Sequence, residues 1–130
     1  MAAENAEQTL ADQWRDLLAL HARTQCELDR ALHRHGLCAS DFEVLDVLSE
    51  QRADGVCSYR VQEISEHVHL SQSALSRLVA RLEKDGLVER GLCAEDRRGV
   101  RVALTEKGRA LHGDVLPLQR AVLTRMLASG

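Results

Sequence analysis

Apolar residues recur at helical intervals along most of the chain. From about Gln8 to His35, Leu10, Trp14, Leu17, Leu18, His21, Leu28 and Leu32 keep this spacing but spread over more than one face. One long helix is predicted, and it needs apolar cover beyond its own small domain. Gly36 suits the left-handed position that ends such a helix, and Ser40 can cap a second one running to about Glu50. In that second helix Phe42, Leu45, Val47 and Leu48 turn inward. Residues 51–59 read as a connector with a turn at Asp54 and Gly55. From Val61 to Val68 a further helix places Val61, Ile64, Ser65 and Val68 on one face, and His69-Leu70-Ser71 then makes a short turn into the next.

That next helix organises the chain. Ser71 can cap its start, Gly86 can sit just past its last turn, and Leu75, Leu78, Val79 and Leu82 form a single apolar stripe at i, i+3, i+4 and i+7. Its other face carries Gln72, Ser73, Ser76, Arg77, Ala80 and Arg81. Small hydroxyls and an amide let a backbone approach a major groove, and arginines offer donors to bases and phosphates. An ordinary solvated helix face has a similar composition, so the residues C-terminal to the helix carry the distinction. Leu87 to Arg90 and Val100 to Leu104 read as strands, with a polar, charged stretch from Cys93 to Gly99 between them. This is a hairpin with a basic tip. Asp96 and Arg98 are two apart, so the carboxylate can hold a guanidinium there, and arginine in such a tip suits a narrow minor groove. A surface ion pair without function is the plainer reading of that pair alone. Thr105 can cap a last helix, with Leu111, Val115, Leu118, Val122 and Met126 at near-helical spacing. Pro117 within it predicts a kink or a lost hydrogen bond. The fold expected is mainly α with a small β-hairpin wing: a winged helix-turn-helix with long N- and C-terminal helices.

Composition sharpens this picture. A chain of 130 residues is one domain, and with one Trp, one Tyr and one Phe its core must be built from Leu, Val and Ala, which favours packed helices. The net charge of −3 is unevenly placed. Residues 1–50 hold four basic and ten acidic side chains, whereas residues 71–104 hold seven basic and five acidic. The acids Glu83, Asp85, Glu89 and Glu95 fall behind the reading helix and on the approach to the wing, leaving Arg77, Arg81, Arg97, Arg98 and Arg101 for phosphates and grooves. No apolar run approaches the roughly 20 residues of a membrane span, and the polar start is no signal peptide. A cytoplasmic protein with reduced thiols is expected.

Residues 60–108 contain Leu-Ser-Gln-Ser-Ala-Leu-Ser-Arg, then Arg-Leu-Glu-Lys-Asp-Gly-Leu-Val-Glu-Arg, then Asp-Arg-Arg-Gly and, further on, Leu-Thr-Glu-Lys-Gly. In order and spacing this resembles the MarR family of bacterial transcription regulators, and the likeness extends more weakly through Leu37 to Ser49. The resemblance implies a homodimer that binds a pseudo-palindromic DNA operator, often as a repressor released by a small-molecule effector. It also implies that Arg77 is the reading-helix arginine and that Asp96 and Arg98 are the wing pair. The expected DNA-binding residues are Ser71, Gln72, Ser73, Ser76, Arg77, Arg81, Asp96, Arg97 and Arg98. Residues 1–36 are expected to form the N-terminal dimerisation helix, 37–104 the DNA-binding unit and 105–130 the C-terminal dimerisation helix, all in one structural domain. Family members usually continue into a further C-terminal helix, whereas this chain stops at Ala-Ser-Gly. A reduced dimer contact or a shortened chain is the expectation there.

Other chemistries compete at particular residues. Trp14, His21 and Cys38 are candidates for an effector or redox site. Oxidation at Cys38, at a helix junction, or at Cys93, in the wing, can move the reading unit, although a small thiol is also a common core residue. His33 and His35 are two apart on a helix and face about 200° apart, which disfavours a local metal cage. A site assembled from His33, His35, Cys38 and His112 is the remaining metal possibility, and no metal site or cofactor is expected. There is no phosphate-binding glycine loop, nucleophile elbow or paired His-Glu zinc motif, so no enzyme is expected. A winged helix used only for protein contact is the alternative of another class. Arginines on both the reading helix and the wing tip argue against it.

Overall fold

The computed structural model describes residues 2–50, 59–93 and 96–128, with residues 92, 93 and 96–100 described as backbone alone. The first helix, α1, spans Ala2–Leu32 and passes through a tight 3-10 turn at His33–His35 to Gly36, whose φ of 74° is the left-handed stop expected of it. Helix α2 spans Ala39–Ser49, starting two residues earlier than a Ser40 cap predicts. Cys38 is the N-cap instead, and its backbone N–H donates to Asp41 Oδ2 at 2.9 Å while Ala39 N–H donates to Asp29 Oδ1 of α1 at 2.8 Å. Two carboxylates thus satisfy orphan donors at the positive end of α2, and one of them pins α2 to α1.

Of the connector, residues 51–58 lie outside the described residues. Tyr59 and Arg60 form a strand, β1, that two residues of sequence cannot announce. Helix α3 spans Val61–Val68, and α4, Gln72–Lys84, is the reading helix. Strands β2 (Val88–Cys93) and β3 (Asp96–Leu104) are antiparallel, and β1 joins the far side of β3 to give the order β1-β3-β2. The ladder runs from Val88 opposite Leu104 to Leu92 opposite Val100, then slips so that Cys93 faces Asp96. The strands therefore reach further than the polar pattern at 93–99 suggests, because ladder hydrogen bonds are made by backbone whatever the side chains. Ala94 and Glu95 lie outside the described residues.

Helix α5 spans Glu106–Leu127, capped by Thr105, whose hydroxyl accepts from Gly108 N–H at 3.0 Å. It runs unbroken through Pro117. Phe42, Leu45, Ile64, Leu75, Leu82, Val102 and Val115 are fully buried at the centre, where α2, α3, α4, α5 and the sheet meet. Leu28, Ala39 and Val122 make a second cluster between α1, α2 and α5.

Gly108 marks the tightest approach. A Cβ built there would sit 1.9 Å from the Leu87 carbonyl oxygen, a backbone atom that already accepts from Thr105 N–H. Gly108→Ala should therefore destabilise the fold by about 1–3 kcal/mol as α5 is pushed from the strand entry. Chemical denaturation of the variant checks this, and an unchanged midpoint would refute the contact.

Candidate nucleic-acid interface

The reading helix is positioned from three directions. Its buried stripe, Leu75, Leu78, Val79 and Leu82, seats it on the core as the spacing predicts. At its start, His69 takes a left-handed conformation (φ 56°) that turns the chain sharply, and the Ser71 hydroxyl accepts from Ala74 N–H at 3.2 Å. At its end, Gly86 is left-handed (φ 78°), and Glu83 pairs with Arg90 of β2 at 2.8 Å, tying the last turn to the wing. The hydrogen bond from Arg90 holds the Glu83 carboxyl below its usual range.

Gln72, Ser73, Ser76, Arg77 and Ala80 all face solvent together, on the side opposite the stripe. Among the described residues Arg77 has no ion-pair partner, so its guanidinium is available to an incoming anion. Ser71 has its acceptor lone pair engaged in the cap and lies 3.4 Å from the Ser73 hydroxyl. Arg81 is placed differently from the others. Its guanidinium bonds to Asp41 Oδ1, whose side chain is 4% exposed, across from α2. Burial works against the Arg81 charge, but Asp41 and then Cys38 outweigh it and hold the guanidinium above its usual value. Arg81 is thus a clamp between α4 and α2, half its side chain still facing water. Sequence reading misses this pair because its members are 40 positions apart. The three-residue spacing from Cys38 to Asp41 does mark Asp41 as a capping acid.

Asp96, Arg97 and Arg98 open β3, and their side chains lie outside the described residues, as do all of Glu95 and the side chain of Cys93. Arg101 pairs in register with Arg60 on β1 and is partly covered.

A cleft of about 550 Å³ opens between α1, α2 and the turn from α3 into α4. His21 lines it; Trp14 and Cys38 do not. Trp14 is 59% exposed on α1 with Leu10, Leu17 and Leu18, and Cys38 is half-buried at the α2 cap beside Arg81. The cleft wall also holds Thr24 and Glu43, which sequence reading misses. The Thr24 hydroxyl is buried with no hydrogen-bond partner, a state that costs roughly 1–3 kcal/mol if nothing fills it. His112 is committed elsewhere: it lies 2.8 Å from Asp46 and stacks on Phe42. Among the described residues, no group of three or more His, Cys, Asp or Glu is placed to hold a metal ion.

A reading helix seated on its stripe, preceded by a short turn and succeeded by an antiparallel hairpin, is a winged helix-turn-helix. A sequence model of the MarR family matches residues 35–99, the whole reading unit up to the wing. The chain belongs to the MarR family. Like other MarR-family chains it is a DNA-binding transcription regulator. It is 28% identical over 125 residues to the transcriptional repressor MdtR of Bacillus subtilis, covering 96% of this chain and 77% of that one. Among solved structures, the MarR-family regulator AbsC of Streptomyces coelicolor superposes with a TM-score of 0.82 at 31% identity, covering 93% of this chain and 80% of AbsC. A second MarR-family regulator from the same organism, crystallised in complex with DNA, also gives 0.82, at 29% identity over 95% of this chain and 75% of that one. The chain spans 77% of the length of MdtR and 43% of that of another curated relative, the transcriptional regulator TtmR of Methylorubrum extorquens. No described helix is long and apolar enough to cross a membrane.

Proposed function

We propose that the chain is a ligand-responsive repressor that binds a pseudo-palindromic operator as a homodimer. The exposed face of α4, polar at its start and carrying Arg77, supports the DNA-reading role. Residues 71–73, 76 and 77 meet base edges and phosphates in the major groove, while Asp96, Arg97 and Arg98 bring the wing to the neighbouring minor groove. Two such helices enter successive major grooves about 34 Å apart.

The homodimer is supported by apolar surface. Leu10, Trp14, Leu17 and Leu18 are 64%, 59%, 60% and 47% exposed on the first half of α1, and Leu127 near the end of α5 is 52% exposed. A stretch of helix that buries almost nothing within its own chain gains its stability from a partner. Residues 1–36 and 105–130 are thus the dimerisation segments, flanking the DNA-binding unit at 37–104. The cleft between α1, α2 and the turn before α4 is the effector site, since a molecule seated there touches both the dimer helix and the reading unit.

The test is fluorescence anisotropy with the duplex upstream of the protein's own gene and a scrambled duplex, across a salt series. Tighter binding to the native duplex is expected. Arg98→Ala should weaken it by about 1–3 kcal/mol and lower the salt slope, and Arg77→Ala should also relax base preference. Unchanged affinity in a folded Arg98→Ala chain would refute the wing's role. Equal losses on both duplexes would make Arg77 a phosphate contact. A cysteine-sensing reading has one observation in its favour, the place of Cys38 at the α2 cap, where its N–H bonds to the same Asp41 that holds Arg81. Oxidant-induced loss of DNA binding that Cys38→Ser abolishes would decide for it.

A further inference from the structure

The cleft has a chemistry of its own. Its floor is apolar, with Leu28 from α1 and Val68 from the end of α3, and its volume of about 550 Å³ suits a small organic molecule. Four kinds of polar group line it: the hydroxyls of Thr24 and Ser40, the Gln25 amide, two imidazoles and the Glu43 carboxylate. The Thr24 hydroxyl is buried, 9% exposed, and has no partner for its oxygen. His21 of α1 and His69 of the turn after α3 both line it. Among the described residues, Glu43 is the one lining side chain that is charged when the histidines are neutral, and no Lys or Arg lines the space. A carboxylate guest would bring a like charge beside Glu43, which is itself exposed at the mouth of the cleft, whereas a cation would pair with it. The histidine ring nitrogens and the Thr24 oxygen add acceptors for a donor-rich head.

We infer that this cleft takes a small molecule with an apolar body and a single cationic, hydrogen-bond-donating head of amine or amidine chemistry, and discriminates against carboxylates of the same size. The inference rests on reading the cleft as the effector site. Glu43 is poised for such a guest: burial, then the nearby Asp46 charge, push its carboxyl above the usual range, and Arg120 of α5 opposes them. A bound ammonium offsets both penalties. Because His69 lies two residues before the Ser71 cap, a head group drawn toward Glu43 also presses on the turn that orients α4.

Calorimetric titration of the full chain with benzylamine, benzyl alcohol and benzoate tests this, alongside anisotropy on duplex DNA. Benzylamine should bind about threefold more tightly than benzoate, the discrimination expected of one exposed charge pair. Glu43→Gln should remove that advantage and leave benzyl alcohol unaffected, and Thr24→Val should weaken benzylamine while keeping the preference over benzoate. Benzylamine binding should strengthen as pH rises through the Glu43 titration, which lies above the usual carboxylate range, since Glu43 then gains its charge. Asp46 favours the same cation, and Arg120 opposes it. Benzoate binding as tightly as benzylamine, or a Glu43→Gln chain that still prefers the amine, overturns the inference; if the bound benzoate releases DNA, the effector reading survives. If no probe binds, or binding leaves DNA affinity unchanged, both fall.

Discussion

Replacing Phe42 with alanine is expected to lower the unfolding free energy by about 3–5 kcal/mol, a large part of the whole stability of a domain this size. The ring is fully buried between α2 and α5. It stacks on His112 at 5.6 Å between ring centres, and the Arg120 guanidinium lies over it at 5.9 Å. With one Phe in the chain, no other phenyl ring can fill the space. His112 would lose its stacking surface and Asp46, which holds both His112 and Arg120, would lose the wall that orders them. A thermal midpoint lowered by roughly 10–20 °C is expected at fixed protein concentration, with Phe42→Leu falling by less than half as much. A loss under about 1 kcal/mol would mean that α5 closes over the gap and that the ring is not the centre of this packing.

The second large effect falls on Asp41. Asp41→Ala removes the acceptor for Cys38 N–H at the cap of α2 and the buried partner of Arg81 at the same time. Loss of a cap and of a charge-assisted hydrogen bond together should cost about 2–4 kcal/mol. Asp41→Asn keeps an acceptor for the cap and should lose about half of that. The same pair decides how α4 is presented, so DNA affinity should fall about tenfold in Asp41→Asn although Arg81 is then freed toward solvent. The salt slope counts phosphate contacts, and it should stay unchanged if the clamp acts by geometry. Tighter binding with a steeper salt dependence in Asp41→Asn would instead show that Arg81 serves DNA directly and that Asp41 restrains it.

That clamp shows where sequence reading stops. Ser71, Gly86, Gly36 and Thr105 are assignable as caps and stops, since a cap needs only its own side chain and the next turn of backbone. The stripe of Leu75, Leu78, Val79 and Leu82 is legible for the same reason, its period being that of the helix itself. The order of helix, short turn, helix and hairpin, and with it the family, is also carried by local spacing. Ser40 is the exception among the caps, because the helix already starts at Ala39, where Asp41 and Asp29 accept from the Cys38 and Ala39 N–H groups.

Everything that joins distant positions comes from the folded chain. Nothing in the sequence pairs Arg81 with Asp41, Tyr59 with Val102, His112 with Asp46, or brings Thr24 to the same cleft as Glu43 and His69. Local periods record which face of an element is apolar, and so they carry the elements and their inward sides. They hold no information on which element lies across from that face. That choice is made when the helices and sheet pack around Phe42 and Leu75, because only in the packed state do buried charges and hydroxyls meet, or fail to meet, a partner.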